Sequence, residues 1–403
     1  MKTILLLGTF DTKGDEYAYV AELIRARGHR VQLVDLGILG EPRIEPNVGA
    51  EAVAKIGGSS LAKLRADADR GAAVEVMLNG ARQIVRQLHE EGWIHGVLGL
   101  GGGGGTAMIT AAMRELPVGF PKVMVSTMAS GNTAPYVDVK DITMMYSVVD
   151  IAGLNPLSRR ILANAAGAIV GMVEQEPPPA SDRPLLAATM FGVTTPCVTA
   201  ARTRLEAAGY DVLVFHATGT GGRAMEGLID DGYIAGVLDV TTTEWADEVV
   251  GGVLTAGPDR LSAAGRKGIP QVVSVGALDM VNFGPMDTVP EQFRGRKLYK
   301  HNPSVTLMRT TPGECRTIGQ RIAEQLTRAA GPVVLMLPRQ GVSMIDAPGQ
   351  PFHDPGADAA LFDALRSGVG PNVRVREIDA HINDPAFAEA LTSELLALLP
   401  ARA

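Results

Sequence analysis

The 403-residue chain carries 46% hydrophobic, 4% aromatic and 20% charged residues, with a formal net charge of −7. That length exceeds one ordinary hydrophobic core and predicts two or three domains, while the aliphatic, aromatic-poor composition predicts α/β domains with buried parallel sheets. The acidic balance excludes a nucleic-acid face as the main binding surface, no run is long and apolar enough to span a bilayer, and the cysteines, Cys197 and Cys315, lack the spacing of a zinc site.

In chain order, residues 3–8 read as a first buried strand that begins too early for a signal peptide, which predicts a cytoplasmic protein. Residues 17–27 read as a helix, Gly28 as a turn and 31–35 as a second strand. Residues 38–79 form an insertion, with helices predicted over 49–56 and 60–86. A third apolar run, 94–100, leads into Gly99-Leu100-Gly101-Gly102-Gly103-Gly104-Gly105-Thr106 and a helical segment over 107–116; a fourth strand is predicted over 122–126. The proline-rich stretch Glu174 to Asp182 cannot continue a helix and predicts an exposed connector.

The residues beyond it repeat the design. A strand over 185–189, a helix over 197–208, a turn at Gly209 and a strand over 212–216 match the opening of the first half. Glu91-Gly92-Trp93-Ile94-His95-Gly96-Val97-Leu98 matches Asp231-Gly232-Tyr233-Ile234-Ala235-Gly236-Val237-Leu238, and a fourth strand follows over 271–275. Further strands are expected over 304–309, 332–337 and 373–378, with helices over 315–328 and 357–367. Apolar runs without alternation, separated by amphipathic helices, indicate two doubly wound, Rossmann-like parallel-sheet domains related as an internal repeat. The expected division is 1–176, a linker over 177–184, and 185–403, with ligands gathering at strand carboxyl ends and an interdomain cleft where two such edges face each other.

The glycine run is the strongest functional signal, because residues without Cβ let backbone N–H groups close on an anion at a helix N-terminus. Gly101, Gly102, Gly103, Gly104, Gly105 and Thr106 are therefore candidate phosphate-binding residues. Two further loops, Gly8-Thr9-Phe10-Asp11-Thr12-Lys13 and Ser130-Gly131-Asn132, are expected to close the site, with Asp11 available to hold Mg²⁺ through water. Asp11 and Lys13 pairing with each other on the surface is the plainer alternative. The GxGxxG match is weak, since no acidic residue ends the next strand, and a Gly-Lys-Ser/Thr P-loop is absent.

In the second half, Thr218-Gly219-Thr220-Gly221-Gly222 reads as another anion cradle, joined by Thr194, Thr241 and Thr242 as substrate contacts. His216, Arg223, Glu244 and His301 are the candidate acid–base and orienting residues for a carboxylate or phosphate substrate. Taken singly, Glu244 also suits ordinary helix first-turn chemistry.

These stretches together resemble one family. Gly8-Thr9-Phe10-Asp11-Thr12-Lys13-Gly14-Asp15-Glu16, the Gly99 to Thr106 run, Tyr146-Ser147-Val148-Val149-Asp150-Ile151, Phe215-His216-Ala217-Thr218-Gly219-Thr220-Gly221-Gly222, Asp239-Val240-Thr241-Thr242-Thr243-Glu244 and His301-Asn302-Pro303 are similar to the Tm-1-like ATP-binding family, also called UPF0261. The resemblance covers essentially the whole chain and implies two Rossmann-like subdomains, ATP binding and dimer formation. Expected is a nucleotide-binding protein acting on a small oxyanionic metabolite. The alternatives are a metal-independent hydrolase or carbon–carbon lyase using His216 or His301, and a binding protein without chemistry.

Overall fold

The computed structural model describes residues 1–176 and 182–400, so most of the connector expected over 177–184 lies outside the described residues. The chain divides into two compact units, Met1–Pro179 and Ala180–Ala403.

The first unit is built on a parallel sheet of β1 (Thr3–Gly8), β2 (Arg30–Asp35), β3 (Gly96–Gly101), β4 (Lys122–Ser126) and β5 (Thr143–Tyr146) in the order β2-β1-β3-β4-β5. Successive side chains of a strand point to opposite faces, and here both faces are covered. Ile4 and Leu6 pack with helices Phe10–Ala26 and Pro156–Glu174, while Leu5 and Leu7 pack with helices Ala50–Ile56, Arg70–Glu90 and Gly103–Met113. Two-sided burial is why these strands read as unbroken apolar runs.

In the second unit, β6 (Leu185–Met190), β7 (Asp211–His216), β8 (Ile234–Thr241), β9 (Gln271–Gly276), β13 (Val333–Pro338) and β14 (Val373–Ile378) form a parallel sheet ordered β14-β13-β9-β8-β6-β7. A separate antiparallel sheet, β10-β12-β11, joins β10 (Met280–Phe283), β11 (Leu298–Asn302) and β12 (Val305–Arg309). The strand read over 304–309 therefore belongs to this small sheet and does not extend the parallel one. In each parallel sheet the winding reverses between two neighbours, β1 and β3 in the first and β6 and β8 in the second. Such reversal points are where ligands of this architecture bind.

Helix starts differ most from expectation. The first helix begins at Phe10, seven residues before the apolar periodicity becomes visible, and is kinked at Lys13 (φ −127°, ψ 21°). The long helix read over 60–86 is two helices, Leu61–Asp67 and Arg70–Glu90, because Ala68 turns left-handed (φ 51°) and Asp69 caps the second through Gly71 and Ala72 N–H.

A buried ionic cluster ties the small sheet to the parallel one. Arg309, at the end of β12, reaches Asp346 (3.3 Å) and Asp358 (2.7 Å) and donates from Nε to the Phe352 carbonyl (2.7 Å). Ser343 Oγ donates to Asp279 Oδ2 at 2.7 Å. Burial, then the neighbouring Asp279 and Asp358, push the Asp346 carboxyl up to about 9 against the pull of Arg309.

Two tests follow from these contacts. A Cβ at Gly99 would lie 2.4 Å from Ile109 Cγ2 and 3.1 Å from Met124 Sδ, so Gly99→Ala should cost about 1–3 kcal/mol in urea unfolding through overpacking. Asp346 keeps a proton that the unfolded chain releases near pH ~3.9. The stability it contributes is present at low pH and is lost as pH rises above that value. Asp346→Asn, which mimics the protonated form, should flatten the decline of Tm between about pH 5 and pH 8.

Candidate functional site

At the reversal point of the first unit, β1 and β3 pair as far as Leu7 and Gly99 and then part. Tyr17, fully buried, inserts its hydroxyl there, accepting from Leu100 N–H (2.7 Å) and donating to the Leu7 carbonyl (2.6 Å). Burial pushes this phenol above its ordinary range, so it is a lasting donor. A Cβ on Gly8 would sit 1.9 Å from the Tyr17 oxygen. Gly8 thus makes room for the protein's own phenol.

The glycine run splits into three roles. Gly99 and Gly101 belong to β3, Gly102 is the residue before the helix, and Gly103, Gly104 and Gly105 form the first turn of helix Gly103–Met113. Gly101 is needed sterically, because its Cβ would lie 2.9 Å from Thr106 N. The next four are not. None of them has positive φ, and Cβ atoms at Gly102, Gly103, Gly104 and Gly105 would find their nearest neighbours at 3.7 Å or beyond. No side chain caps the turn, and its first amide with a backbone acceptor is Thr106, which donates to Gly102 O (2.8 Å).

The surroundings of this turn include a residue that sequence reasoning missed. Arg70, exposed at the start of helix Arg70–Glu90, places Nη2 3.7 Å from the Cβ position of Gly104. Among the described residues its guanidinium makes no hydrogen bond or ion pair. Its only sequence signal was its place next to the N-cap Asp69, inside an insertion with no visible link to the glycines. Thr127 Oγ1 lies 3.7 Å from the Gly102 Cβ position and Met128 Sδ 3.9 Å from that of Gly103. Ser130, Gly131 and Asn132 follow, all exposed, with Asn132 Oδ1 accepting from Ala134 N–H.

Several candidates are engaged within the unit. Thr106, buried, shares a 2.6 Å hydrogen bond with Ser126 and faces inward. Asp11 and Lys13 do not pair with each other. Asp11 Oδ2 accepts from Leu39 and Gly40 N–H, and Lys13 Nζ donates to the Ile151 carbonyl at 2.6 Å. Thr9 and Thr12 share a hydrogen bond at 2.9 Å. Asp11 Oδ1 is buried and has no hydrogen-bond partner among the described residues. No group of three or more His, Cys, Asp or Glu that could hold a metal occurs among the described residues. The carboxyl end of β5 is strained: Val148, exposed, has φ 64°, inside a tight turn closed by Val149 N–H to Ser147 O (2.7 Å).

In the second unit the expected cradle is filled from within. Glu244 Oε1 accepts from Gly219 N–H (2.7 Å) and Gly222 N–H (3.1 Å), and a Cβ on Gly222 would lie 2.3 Å from Glu244 Oε2. Glu244 is 1% exposed and pairs through Oε2 with Arg260 Nε at 2.6 Å. Arg260, which sequence reasoning did not single out, is 2% exposed, grips Asp239 with two bonds (2.5 and 2.7 Å) and reaches Glu226 at 3.3 Å. Burial works against its charge, but Asp239 and Glu244 beside it more than reverse that. Burial likewise raises Glu226 above the usual carboxylate range. Glu244 is accordingly a structural carboxylate, not a free acid or base.

Thr194, Thr241 and Thr242 are fully buried; Thr194 to Thr241 at 2.7 Å and Thr241 N–H to Thr189 Oγ1 stitch the β6/β8 reversal, while Thr242 donates to the Ser274 carbonyl of β9. Thr218 donates to the His216 carbonyl, a Cβ on Gly221 would meet that same carbonyl at 1.8 Å, and Thr220 opens helix Thr220–Asp230. Arg223 donates to the Thr255 carbonyl. His216 is exposed, edge-on to Phe191, and His301 is exposed at an irregularity of the β11–β12 hairpin. The two histidines share no hydrogen-bond partner.

Comparison with known proteins agrees with this two-unit division. Residues 2–178 match the N-terminal domain and residues 183–399 the C-terminal domain of the uncharacterised protein family UPF0261. A UPF0261 protein of Clostridium tetani is 54% identical over 400 residues, covering 99% of both chains, and one of Rhizobium meliloti is 52% identical over 97% of both. The tomato ToMV resistance protein Tm-1(GCR237) is 42% identical over 98% of this chain and 56% of its own. Among solved structures, Acinetobacter baumannii MurG aligns at 12% identity over 99% of this chain and 91% of its own, with a TM-score of 0.23. Sequence identity along its full length, carried by both halves, makes this chain a member of the UPF0261 family.

Proposed function

We propose that the first unit binds the phosphate groups of a small molecule, with ATP as the nucleotide, at the turn formed by Gly102 to Gly105. The observation that carries this reading is the set of glycines that neither backbone conformation nor packing requires. Glycine in a helix costs about 0.5–1 kcal/mol relative to alanine, so three such residues, Gly103, Gly104 and Gly105, in one uncapped turn indicate a selected space for oxygens to approach the amides. The unpaired Arg70 guanidinium supplies charge beside them, in the bidentate form that suits phosphate. Mg²⁺ in this reading travels on the nucleotide phosphates with most of its water, since no protein cage of acids surrounds the turn.

The reading includes a homo-oligomer in the cytoplasm, with the second unit serving a small oxyanionic substrate. Acid–base chemistry by Glu244 is not favoured, because its carboxylate is committed to Arg260 and two amides.

Isothermal titration with ATP and Mg²⁺ tests the site. Saturable heat is expected in the wild type; no heat at high protein concentration overturns the reading. Gly104→Ala should raise stability by about 0.5 kcal/mol yet weaken ATP binding by about tenfold or more, and Arg70→Ala should weaken it without moving Tm. Unchanged affinity in Gly104→Ala would place any nucleotide elsewhere.

A further inference from the structure

A recess opens on the second unit, away from the glycine turn. It is a cleft of about 480 Å³ between helix Glu244–Val250, the Pro258-Asp259 loop and helix Pro312–Thr327. Trp245, Val249 and Pro258 supply its apolar wall. Gln325 spans one end, donating from Nε2 to the Pro258 carbonyl at 2.7 Å.

Around the cleft, Arg321 pairs with Glu324 at 3.4 Å, and Glu248 accepts from Thr255 Oγ1, a neutral donor that leaves its charge in place. Two further charged groups are exposed at the cleft. Asp259 follows the Pro258 carbonyl that Gln325 holds, and Arg328 lies three residues beyond Gln325 along the same chain. Among the described residues neither Asp259 nor Arg328 has an ion-pair or side-chain hydrogen-bond partner, although both line this one cleft. Trp245 itself is buried, with its indole N–H lacking an acceptor among the described residues.

We propose that this cleft binds a free α-amino acid with an apolar side chain. The ligand's carboxylate faces Arg328, its ammonium faces Asp259, and its side chain lies along Trp245, Val249 and Pro258. A simple anion would meet Asp259 and a simple cation would meet Arg328, so charge complementarity selects a molecule carrying both signs. The volume lies within the range of small-molecule sites, with an apolar body and few polar groups fixing orientation. This inference is independent of the nucleotide reading, because the residues belong to the other unit.

The molecule contains its own reporter. Trp245 is 3% exposed and Trp93 61% exposed, so in a Trp93→Phe variant the indole emission comes from the cleft. Titration with L-leucine is expected to change that emission saturably at millimolar concentration, and calorimetry on the unaltered protein should give the same affinity. Asp259→Asn and Arg328→Gln should each weaken binding roughly fivefold, as partly exposed charge pairs do. N-acetyl-L-leucine, without the ammonium, and L-leucinamide, without the carboxylate, should bind correspondingly less. No saturable response to L-leucine by either method overturns the proposal, as does equal binding of all three compounds or an affinity indifferent to both substitutions.

Discussion

Where two parallel strands of a doubly wound sheet diverge, each leaves backbone amides and carbonyls without the neighbour that would have paired with them. These groups are buried, and an unpaired buried polar group costs about 1–3 kcal/mol. The rest of this molecule is arranged around how that need is met. In the first unit a single phenol, Tyr17, stands in for the missing rung between Leu7 and Leu100. The second unit uses a denser set: Thr189, Thr194 and Thr241 bridge β6 and β8, and Asp239 at the end of β8 accepts from Thr189 and is held by Arg260. Each solution satisfies the reversal point with the protein's own atoms.

The small-residue turns beside the two reversal points differ. Around the first, the turn from Gly102 to Gly105 presents amides with no cap and a guanidinium with no partner. Around the second, the comparable small-residue turn holds the Glu244 carboxylate, and that carboxylate is anchored by Arg260. Two copies of one architecture thus differ in whether an acidic side chain of the protein itself occupies the small-residue turn.

Much of this could be read directly from the residues. The parallel sheets were legible because two-sided burial leaves apolar runs such as Ile4 to Leu7 and Val123 to Val125, and the internal repeat was visible in paired stretches such as Gly92-Trp93-Ile94 and Gly232-Tyr233-Ile234. The antiparallel β10-β12-β11 sheet was not, since Leu298 to Asn302 is polar and half-exposed and gives no clear alternation. The start of the first helix was hidden for a related reason: Asp11, Thr12 and Lys13 look like loop residues, yet Asp35 binds the Phe10 amide and sets the helix from there. The glycine turn was visible as composition. Its meaning was not, because whether a glycine is sterically required depends on neighbours distant in sequence, such as Ile109 beside Gly99 and Arg70 beside Gly104. Arg260 and the occupation of Gly219 and Gly222 by Glu244 were equally out of reach, being set by tertiary contact between segments that share no pattern.

Arg260 gathers carboxylates from three separate stretches of chain, at Glu226, Asp239 and Glu244. Releasing any one of them alone would strand a charge in a dry interior, which is far more costly than breaking a surface pair. The strand and the two helices that carry these acids consequently have no inexpensive way to fray one at a time. They are bound through one guanidinium into a single cooperative block that opens together.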